Sequence, residues 1–152
     1  MSKLNIKSNL SVIFATSHEA HFVKSLFEQN QAALHYENIS LSEWQEILSS
    51  EDRDEKHFLI CKDDTPVAYM KINGLMNLKE AWISMLFVGN GFKRQGIGTF
   101  ALKYAERYIE ERGFESVKIQ TDDDNFAAIN CYLKCGYKIY EQKNKIKFSK
   151  PL

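Results

Sequence analysis

The sequence has few residues that interrupt helices and strands or form disulfides. Its 152 residues include two prolines and three cysteines, with no internal repeat, low-complexity tract or proline-rich break. An odd number of cysteines argues against a disulfide framework and is expected of reduced thiols. A chain of this length can bury about two-thirds of its unfolded surface. We therefore predict one domain spanning residues 1–152.

The chain also lacks a charge imbalance and a long apolar run. Lys and Arg together number 20, as do Asp and Glu, so the formal net charge is zero. This balance provides no broad basic field for a nucleic acid. No segment approaches the roughly 20 apolar residues that cross a bilayer, and no early run resembles a signal peptide. We expect a cytoplasmic protein with neither a nucleic-acid nor a membrane partner.

A metal site is not expected either. Cys131 and Cys135 lie four residues apart on a predicted helix, as a pair of metal ligands could. No His or Cys cluster accompanies them, and a structural zinc site needs four ligands. Together with Cys61, they are interpreted as core or partly exposed thiols.

Strand and helix patterns alternate along the chain. Hydrophobic periodicity, caps and turn residues predict a mixed sheet flanked by helices, which is an α/β or α+β fold. The predicted strands are Leu10–Ala15, Phe58–Cys61, Pro66–Ile72, Ala81–Val88, Glu115–Thr121, Tyr137–Glu141 and Lys145–Phe148. Helices are predicted to begin at Thr16 or Ser17, after Ser40, near Gly96 and at Asp124 or Asn125.

A basic, glycine-rich turn joins the apolar strand Ala81–Val88 to the helix that begins near Gly96. The first N–H groups of a helix have no partner inside it, and they combine with the helix dipole to attract anions. Gly96 and Gly98 leave the backbone unshielded, while Lys93 and Arg94 add positive charge. This turn is therefore predicted to hold a phosphate group.

Two nucleotide-binding motifs compete for this turn. A Walker loop is excluded, because Ile97 and Gly98 stand where that motif requires Lys and Ser or Thr. Residues 96–101 fit the dinucleotide pattern G-x-G-x-x-A, and Asp122 follows at a suitable distance. Seven residues separate the strand from Gly96, however, and the 28 residues after Asp124 cannot supply a doubly wound domain. An NAD-dependent oxidoreductase stays open as the less favoured alternative.

A second segment, residues 124–137, predicts a short helix that Gly136 ends. With about 3.6 residues per turn, Asn125, Ala128, Ile129 and Tyr132 fall on one face. An amide and a phenol therefore point in the same direction. Both side chains could instead have a purely structural role, Asn125 as a helix cap and Tyr132 as a packed aromatic residue.

The two segments together, in this order and at this spacing, resemble the GCN5-related N-acetyltransferase (GNAT) superfamily over Ala81 to about Tyr140. The resemblance implies the acyl-CoA N-acyltransferase fold, with a mixed, mostly antiparallel sheet. It implies that acetyl-CoA is the co-substrate and that its pyrophosphate lies on the glycine-rich turn. Lys93 stands at the first position of that motif, where Gln or Arg is usual, so the charge is kept without bidentate geometry.

The resemblance also assigns roles to individual residues. Main-chain groups of Leu86, Phe87 and Val88 would pair with the pantetheine, and an N–H near Leu86 or Phe87 would stabilise the oxyanion. The implied contacts to the coenzyme come from Leu86, Phe87, Val88, Lys93, Arg94, Gln95, Gly96, Ile97, Gly98, Thr99, Asn125 and Tyr132. Tyr132 is the predicted acid for the departing thiolate, and Glu80, at the head of the strand, is the candidate base.

The implied reaction is direct attack of a primary amine on acetyl-CoA, without a covalent enzyme intermediate. The amine can belong to a small molecule, a peptide or a protein. Its binding groups are expected in the segments 17–36 and 138–147, and family habit makes a homodimer plausible. A non-catalytic acyl-CoA-binding module is the second alternative.

Overall fold

The computed structural model describes residues 9–34, 36–76 and 80–152, together with every side chain there except those of residues 32–34. Seven strands and four α-helices make up this part of the chain. The strands are β1 Leu10–Phe14, β2 Lys56–Lys62, β3 Thr65–Asn73, β4 Ala81–Val88, β5 Ser116–Asp122, β6 Lys138–Gln142 and β7 Lys145–Pro151. The helices are α1 Ala20–Leu34, α2 Leu41–Ser49, α3 Ile97–Glu110 and α4 Phe126–Lys134. Short 3-10 turns cover Ser17–Glu19 and Asn90–Phe92.

The strands form one mixed sheet in the order β1-β2-β3-β4-β5-β7-β6. Among the described strands, β4 and β5 are the one parallel pair, and every other neighbouring pair is antiparallel. The helix α3 makes the crossover that parallel neighbours require. This topology confirms the predicted mixed sheet. It excludes the doubly wound parallel sheet on which the dinucleotide alternative depended.

Local sequence signals explain most of the element boundaries. Ser40 and Glu43 form the capping box at the start of α2. The two residues between β2 and β3, Asp63 and Asp64, have φ angles of 49° and 68°, as a tight hairpin turn needs. Each predicted strand and helix is present. Strand ends differ by at most three residues, and α1 begins at Ala20, after the 3-10 turn Ser17–Glu19 that Thr16 caps. The turn Asn90–Phe92 was not predicted.

The sheet separates two hydrophobic clusters. The larger lies between the sheet and α3, and it includes Phe58, Met70, Ile83, Ala101 and Phe148. The smaller lies under α1 and α2, where Phe27, Trp44, Tyr69 and Phe87 pack ring against ring. Each fully buried aromatic contributes about 1.5–3 kcal/mol. Both faces of β4 are therefore fixed by packing, which holds the central strand in place.

Candidate active site

The two central strands separate part-way along their length. The β4–β5 register consists of Ala81 with Val117, Trp82 with Lys118 and Ile83 with Ile119. Beyond Ile83, β4 continues to Val88 beside β3, and β5 continues to Asp122 beside β7. Among the described residues, the edge of β4 that faces β5 consequently has no strand partner there. Backbone groups along such an edge are free to pair with an extended ligand.

A β-bulge marks the point of separation. On β3, Lys71 pairs with Met85 and Ile72 pairs with Ile83, so Ser84 is an extra residue on β4. A bulge bends its strand and increases the local twist. The Ser84 hydroxyl donates a hydrogen bond to the Lys71 carbonyl over 3.4 Å. Nothing in the sequence pattern predicted this bulge.

The gap between the strands opens into two adjoining cavities. The inner cavity, of about 80 Å³, is lined by Tyr36, Ile83, Ser84, Met85, Leu86, Phe87, Ile119, Gln120, Thr121, Asn125, Ala128 and Tyr132. The outer cavity, of about 290 Å³, is lined by Asn73, Trp82, Ser84, Gln120 and Lys147. Ser84 and Gln120 belong to both. Leu86, Phe87, Asn125 and Tyr132, which the sequence predicted as site residues, line the inner cavity, and so does Tyr36 from the predicted acceptor segment 17–36. Ser84 and Gln120 were missed.

The glycine-rich turn lies at the far end of β4, before α3. Gly96 caps α3 with φ at 80°, and Arg94 also has a positive φ of 63°. In turns that contain left-handed residues, successive backbone N–H groups can form a concavity that binds anions. A Cβ on Gly96 would meet nothing within 4 Å, so the space above this residue is open. The first intrahelical bond runs from the Phe100 N–H to the Gly96 carbonyl at 3.0 Å.

Each remaining residue of the turn is either exposed to solvent or held in place by contacts on the protein side. Lys93, Arg94 and Gln95 are exposed, whereas Ile97 is buried in the core. The Gln95 side-chain carbonyl accepts a hydrogen bond of 2.9 Å from Lys62, a cation on β2 that sequence reasoning missed. The Gln95 amide donates to the Gly91 carbonyl at 3.3 Å. The turn therefore has a fixed inner side and a cationic outer side.

The other end of the turn is held by α1. Asn30, which is 8% exposed, donates from Nδ2 to the Val88 carbonyl at 3.1 Å and to the Leu26 carbonyl at 2.9 Å. The Asn90 N–H donates to the side-chain carbonyl of Gln29 at 2.7 Å. Val88 itself does not line either cavity. Its carbonyl is engaged by Asn30, which leaves Leu86 and Phe87 as the open part of the edge.

Asn125 and Tyr132 lie on the face of α4 that the sequence predicted. Asn125 is the cap of α4, and its side-chain carbonyl accepts from the Ala128 N–H at 3.2 Å. Within the described part of the chain, its amide NH₂ has no hydrogen-bond partner. Tyr132 is 8% exposed and packs against Phe148 and Tyr137, with ring centroids 5.3 and 6.1 Å away.

The phenol of Tyr132 has an environment suited to a proton donor. Among the residues that the structure describes, its hydroxyl has no hydrogen-bond partner, and the side chain faces the inner cavity. Burial raises its pKa above the usual value of 10.0, with Cys131 and Tyr36 adding to the effect. The phenol is therefore protonated at neutral pH.

Glu80 lies outside both cavities. It precedes β4, is exposed, and forms an ion pair with Lys118 on β5. It is not a lining residue of the described cleft, and three residues of β4 separate it from Ser84. The structure therefore does not bring the candidate base to the candidate acid, and the catalytic role of Glu80 stays a prediction.

Comparison with known proteins agrees with this geometry. A model of the acetyltransferase (GNAT) family matches residues 17–137, which is well over half of the chain. The chain belongs to the GNAT family. The uncharacterized N-acetyltransferase MJ1207 of Methanocaldococcus jannaschii is 31% identical over 101 residues, covering 62% of this chain and 43% of that protein. The matches span less than half the length of the curated relatives.

Solved GNAT structures share the fold at low sequence identity. The PaiA N-acetyltransferase of Thermoplasma acidophilum, in complex with coenzyme A, is 13% identical with a TM-score of 0.81, over 94% of this chain and 99% of that chain. Spermidine N-acetyltransferase of Vibrio cholerae, in complex with CoA and spermine, is 13% identical with a TM-score of 0.83, over 95% and 96%. These similarities show the acyl-CoA N-acyltransferase fold. No helix in the described part of the chain is long and apolar enough to cross a membrane.

Proposed function

We propose that this GNAT protein transfers the acetyl group of acetyl-CoA to a primary amine by direct attack, with residues 1–152 acting as one catalytic domain. The observation that carries the proposal is the separation of β4 from β5 beyond Ile83. This separation leaves one edge of β4 unpaired beside Tyr132. The same strand continues toward the open turn at Gly96. The amine can belong to a small molecule, a peptide or a protein. A cytoplasmic location and a homodimer stay predictions.

Each part of the coenzyme has a chemical counterpart in this site. The free N–H groups at the start of α3, with Lys93 and Arg94 beside them, suit the pyrophosphate. The backbone of Leu86 and Phe87 suits the amides of the pantetheine arm, which would lie along β4 as an added strand. The side-chain amide of Asn125 faces the same cavity. The residues present therefore fit acetyl-CoA as co-substrate.

The chemistry requires a negative charge to be stabilised and a thiolate to leave. The amine nitrogen forms a bond to the thioester carbonyl carbon, and a backbone N–H near Leu86 or Phe87 donates to the oxyanion. The C–S bond then breaks, and Tyr132 donates its proton to the sulfur. Because burial raises the pKa of Tyr132, its phenolate is costly to form. The proton that the attacking nitrogen loses therefore returns to the Tyr132 oxygen in the same step, which regenerates the phenol without accumulating phenolate.

The acceptor must lose a proton before it attacks. For an ordinary lysine-like ammonium with a pKa of about 10.4, this costs roughly 4.6 kcal/mol at pH 7, and for an α-amine with a pKa near 7.8 it costs about 1 kcal/mol. The outer cavity is the expected entrance for the acceptor, because it adjoins the inner one at Ser84 and Gln120. Of the predicted acceptor segments, residue 36 lines the inner cavity and residue 147 the outer, while His35 lies outside the described residues.

The test compares Tyr132→Phe with Tyr104→Phe. Tyr104 packs on Phe58 from α3, away from both cavities, so it is a matched control for loss of a phenol hydroxyl. Release of free CoA thiol is followed across polyamines, aminoglycosides, amino acids and peptide N-termini. Tyr132→Phe is expected to lower kcat by roughly 10²-fold or more, as loss of a general acid does. Affinity for CoA, measured by calorimetry, should stay almost unchanged.

Three outcomes would contradict this proposal in different ways. Unchanged turnover in Tyr132→Phe removes this residue from the mechanism. Binding of acetyl-CoA without turnover on any amine indicates the non-catalytic module. Stabilisation against heat by NAD, with none by CoA or acetyl-CoA, would overturn the assignment altogether, because a ligand of the folded state raises the melting temperature.

A further inference from the structure

Two thiols lie at the C-terminal end of α4, Cys131 in its last turn and Cys135 at its C-cap, next to the first turn of α3. Cys131 and Cys135 are free and partly exposed. The Cys135 thiol donates to the Thr99 hydroxyl, with 3.8 Å between Sγ and Oγ1. A Cβ built on Gly98 would lie 4.0 Å from the Cys131 sulfur. The thiol pair therefore contacts the turn whose N–H groups are proposed to hold the pyrophosphate.

Helical spacing suits this pair to one bridging atom better than to a disulfide. Side chains at positions i and i+4 of a helix have Cβ atoms about 5–6 Å apart. A disulfide needs a Cβ separation of about 3.5–4.5 Å. A central atom with bonds of about 2.3 Å to each sulfur spans up to about 4.6 Å between the sulfurs. Both thiols face the first turn of α3, Cys135 at the Thr99 hydroxyl and Cys131 across Gly98, so they lie on the same side of α4.

We propose that Cys131 and Cys135 form a dithiol site for a soft, thiophilic centre, and that its occupation opposes binding of acyl-CoA. The centre is either a trivalent arsenical or a soft divalent ion such as Cd²⁺, since both bind pairs of thiolates. The dithiol site concerns the thiols alone. Its opposition to acyl-CoA binding rests on the proposed function.

The reaction at the site is balanced without an oxidant. With an arsenoxide, two As–S bonds form, two S–H bonds break, and the oxide oxygen leaves as water while arsenic stays trivalent. With Cd²⁺, two S–H bonds break and two protons are released. Burial, and then the neighbouring Cys135, raise the pKa of the Cys131 thiol, so this thiol is protonated when free and ion binding has to displace its proton.

The coupling to acyl-CoA follows from the position of Gly98. Because Gly98 has no side chain, the gap between it and Cys131 has room for about one methyl group: a Cβ placed there would lie 4.0 Å from the sulfur. An atom held between the two sulfurs, with its substituent, has to push α4 and the start of α3 apart. Interiors are packed too densely to absorb such an atom without a shift. The N–H groups of Gly98 and Thr99 would then lose their alignment toward the phosphate.

Phenylarsine oxide and CdCl₂, used separately, test the site. The wild-type protein is compared with Cys131→Ser and Cys135→Ser, and with Cys61→Ala as the control, because Cys61 is buried on the other side of the sheet. Intact mass spectrometry and a free-thiol count should show one phenylarsenic adduct and the loss of two thiols in wild type and Cys61→Ala. Both serine variants should lose the stable adduct. Retention of the adduct in either serine variant overturns the dithiol site.

Calorimetry measures two further quantities: the affinity for Cd²⁺, and the affinity for CoA before and after the thiols are occupied. Cd²⁺ should bind the wild type with release of two protons and bind each serine variant at least tenfold more weakly. Affinity for CoA should fall at least tenfold in the adduct and stay normal in untreated Cys131→Ser. An adduct that binds CoA normally overturns the antagonism. Absence of CoA binding by untreated wild type instead refutes the proposed function, while the mass measurement still decides the dithiol site.

Discussion

Replacing Gly96 with alanine tests the proposed pyrophosphate site most directly. Gly96 has φ at 80°, and an added Cβ would meet no atom within 4 Å. The substitution therefore creates no clash inside the protein. It does place a methyl group over the N–H groups at the start of α3, where the phosphates are proposed to approach. Stability should respond to the left-handed backbone of the new alanine, and CoA binding should respond to its methyl group.

The effect on stability is set by the backbone alone. A left-handed conformation costs an L-residue roughly 1–2 kcal/mol. For a protein of this size, each 1 kcal/mol lowers the melting temperature by about 2–4 °C. Gly113, which follows α3, is a matched control because its φ is 91° and its added Cβ also meets nothing within 4 Å. Gly113→Ala should therefore lose the same stability as Gly96→Ala.

The effect on binding should separate the two variants. Gly96→Ala is expected to weaken CoA at least tenfold, which is about 1.4 kcal/mol, whereas Gly113→Ala should bind as wild type does. Thermal unfolding gives the stability of each variant, and calorimetry with CoA gives its affinity. Equal CoA affinity in both variants would refute the placement of the pyrophosphate over Gly96. A large loss in Gly113→Ala would show that folding, not contact, controls binding.

Two further predictions concern a buried imidazole and the candidate base. His57 is 7% exposed, its Nδ1 lies 2.7 Å from the Tyr69 hydroxyl, and burial lowers its pKa although Glu55 opposes this effect. The unfolded state then binds the proton first, so stability should fall as the pH drops below about 6.5, by at most about 1.4 kcal/mol per pH unit. His57→Gln should flatten this dependence of the melting temperature while exposed His21→Gln keeps it, and equal slopes in both would contradict the reasoning. Glu80→Gln should leave the pH–rate profile of kcat/KM in place, because Glu80 is paired with Lys118 and lines neither cavity. Loss of the acidic limb in a kinetic titration would instead identify Glu80 as the base.

The parts of the fold that the sequence predicted well are those set by local chemistry. The strand Ala81–Val88 was predicted with its observed ends, because an almost unbroken apolar run is followed at once by glycine. Ser40 and Asn125 cap the helices that their side chains favour. The glycine-rich turn was placed correctly because unshielded backbone before a helix is itself a local property. Each of these features requires no knowledge of a distant partner.

The parts that could not be predicted depend on how distant segments meet. Tyr36 follows α1 in the chain, yet the packing of its ring on Phe27 and Phe87 brings it to the inner cavity. Glu80 was a reasonable candidate from its place beside β4. Its pairing with Lys118 follows from the parallel register of β4 and β5, which neither segment encodes alone.

The bulge at Ser84 connects the packing of β4 with the opening of the cleft. In an unbroken strand, alternate residues share a face, so Ile83 would lie on the same side as Met85 and Phe87. Instead, Ile83 packs in the cluster beside α3, while Phe87 packs under α1 and α2. The extra residue allows both halves of β4 to bury their own apolar face.

The same extra residue ends the pairing with β5. The register with β5 stops at Ile83, immediately before the bulge, and the strand bends where the inner and outer cavities meet. Restoring strict alternation would move either Ile83 or Phe87 out of its cluster, at about 1.5–3 kcal/mol for a buried side chain of this size. The open strand edge is therefore maintained by core packing on both sides of the sheet, and it does not depend on a bound ligand to keep it apart from β5.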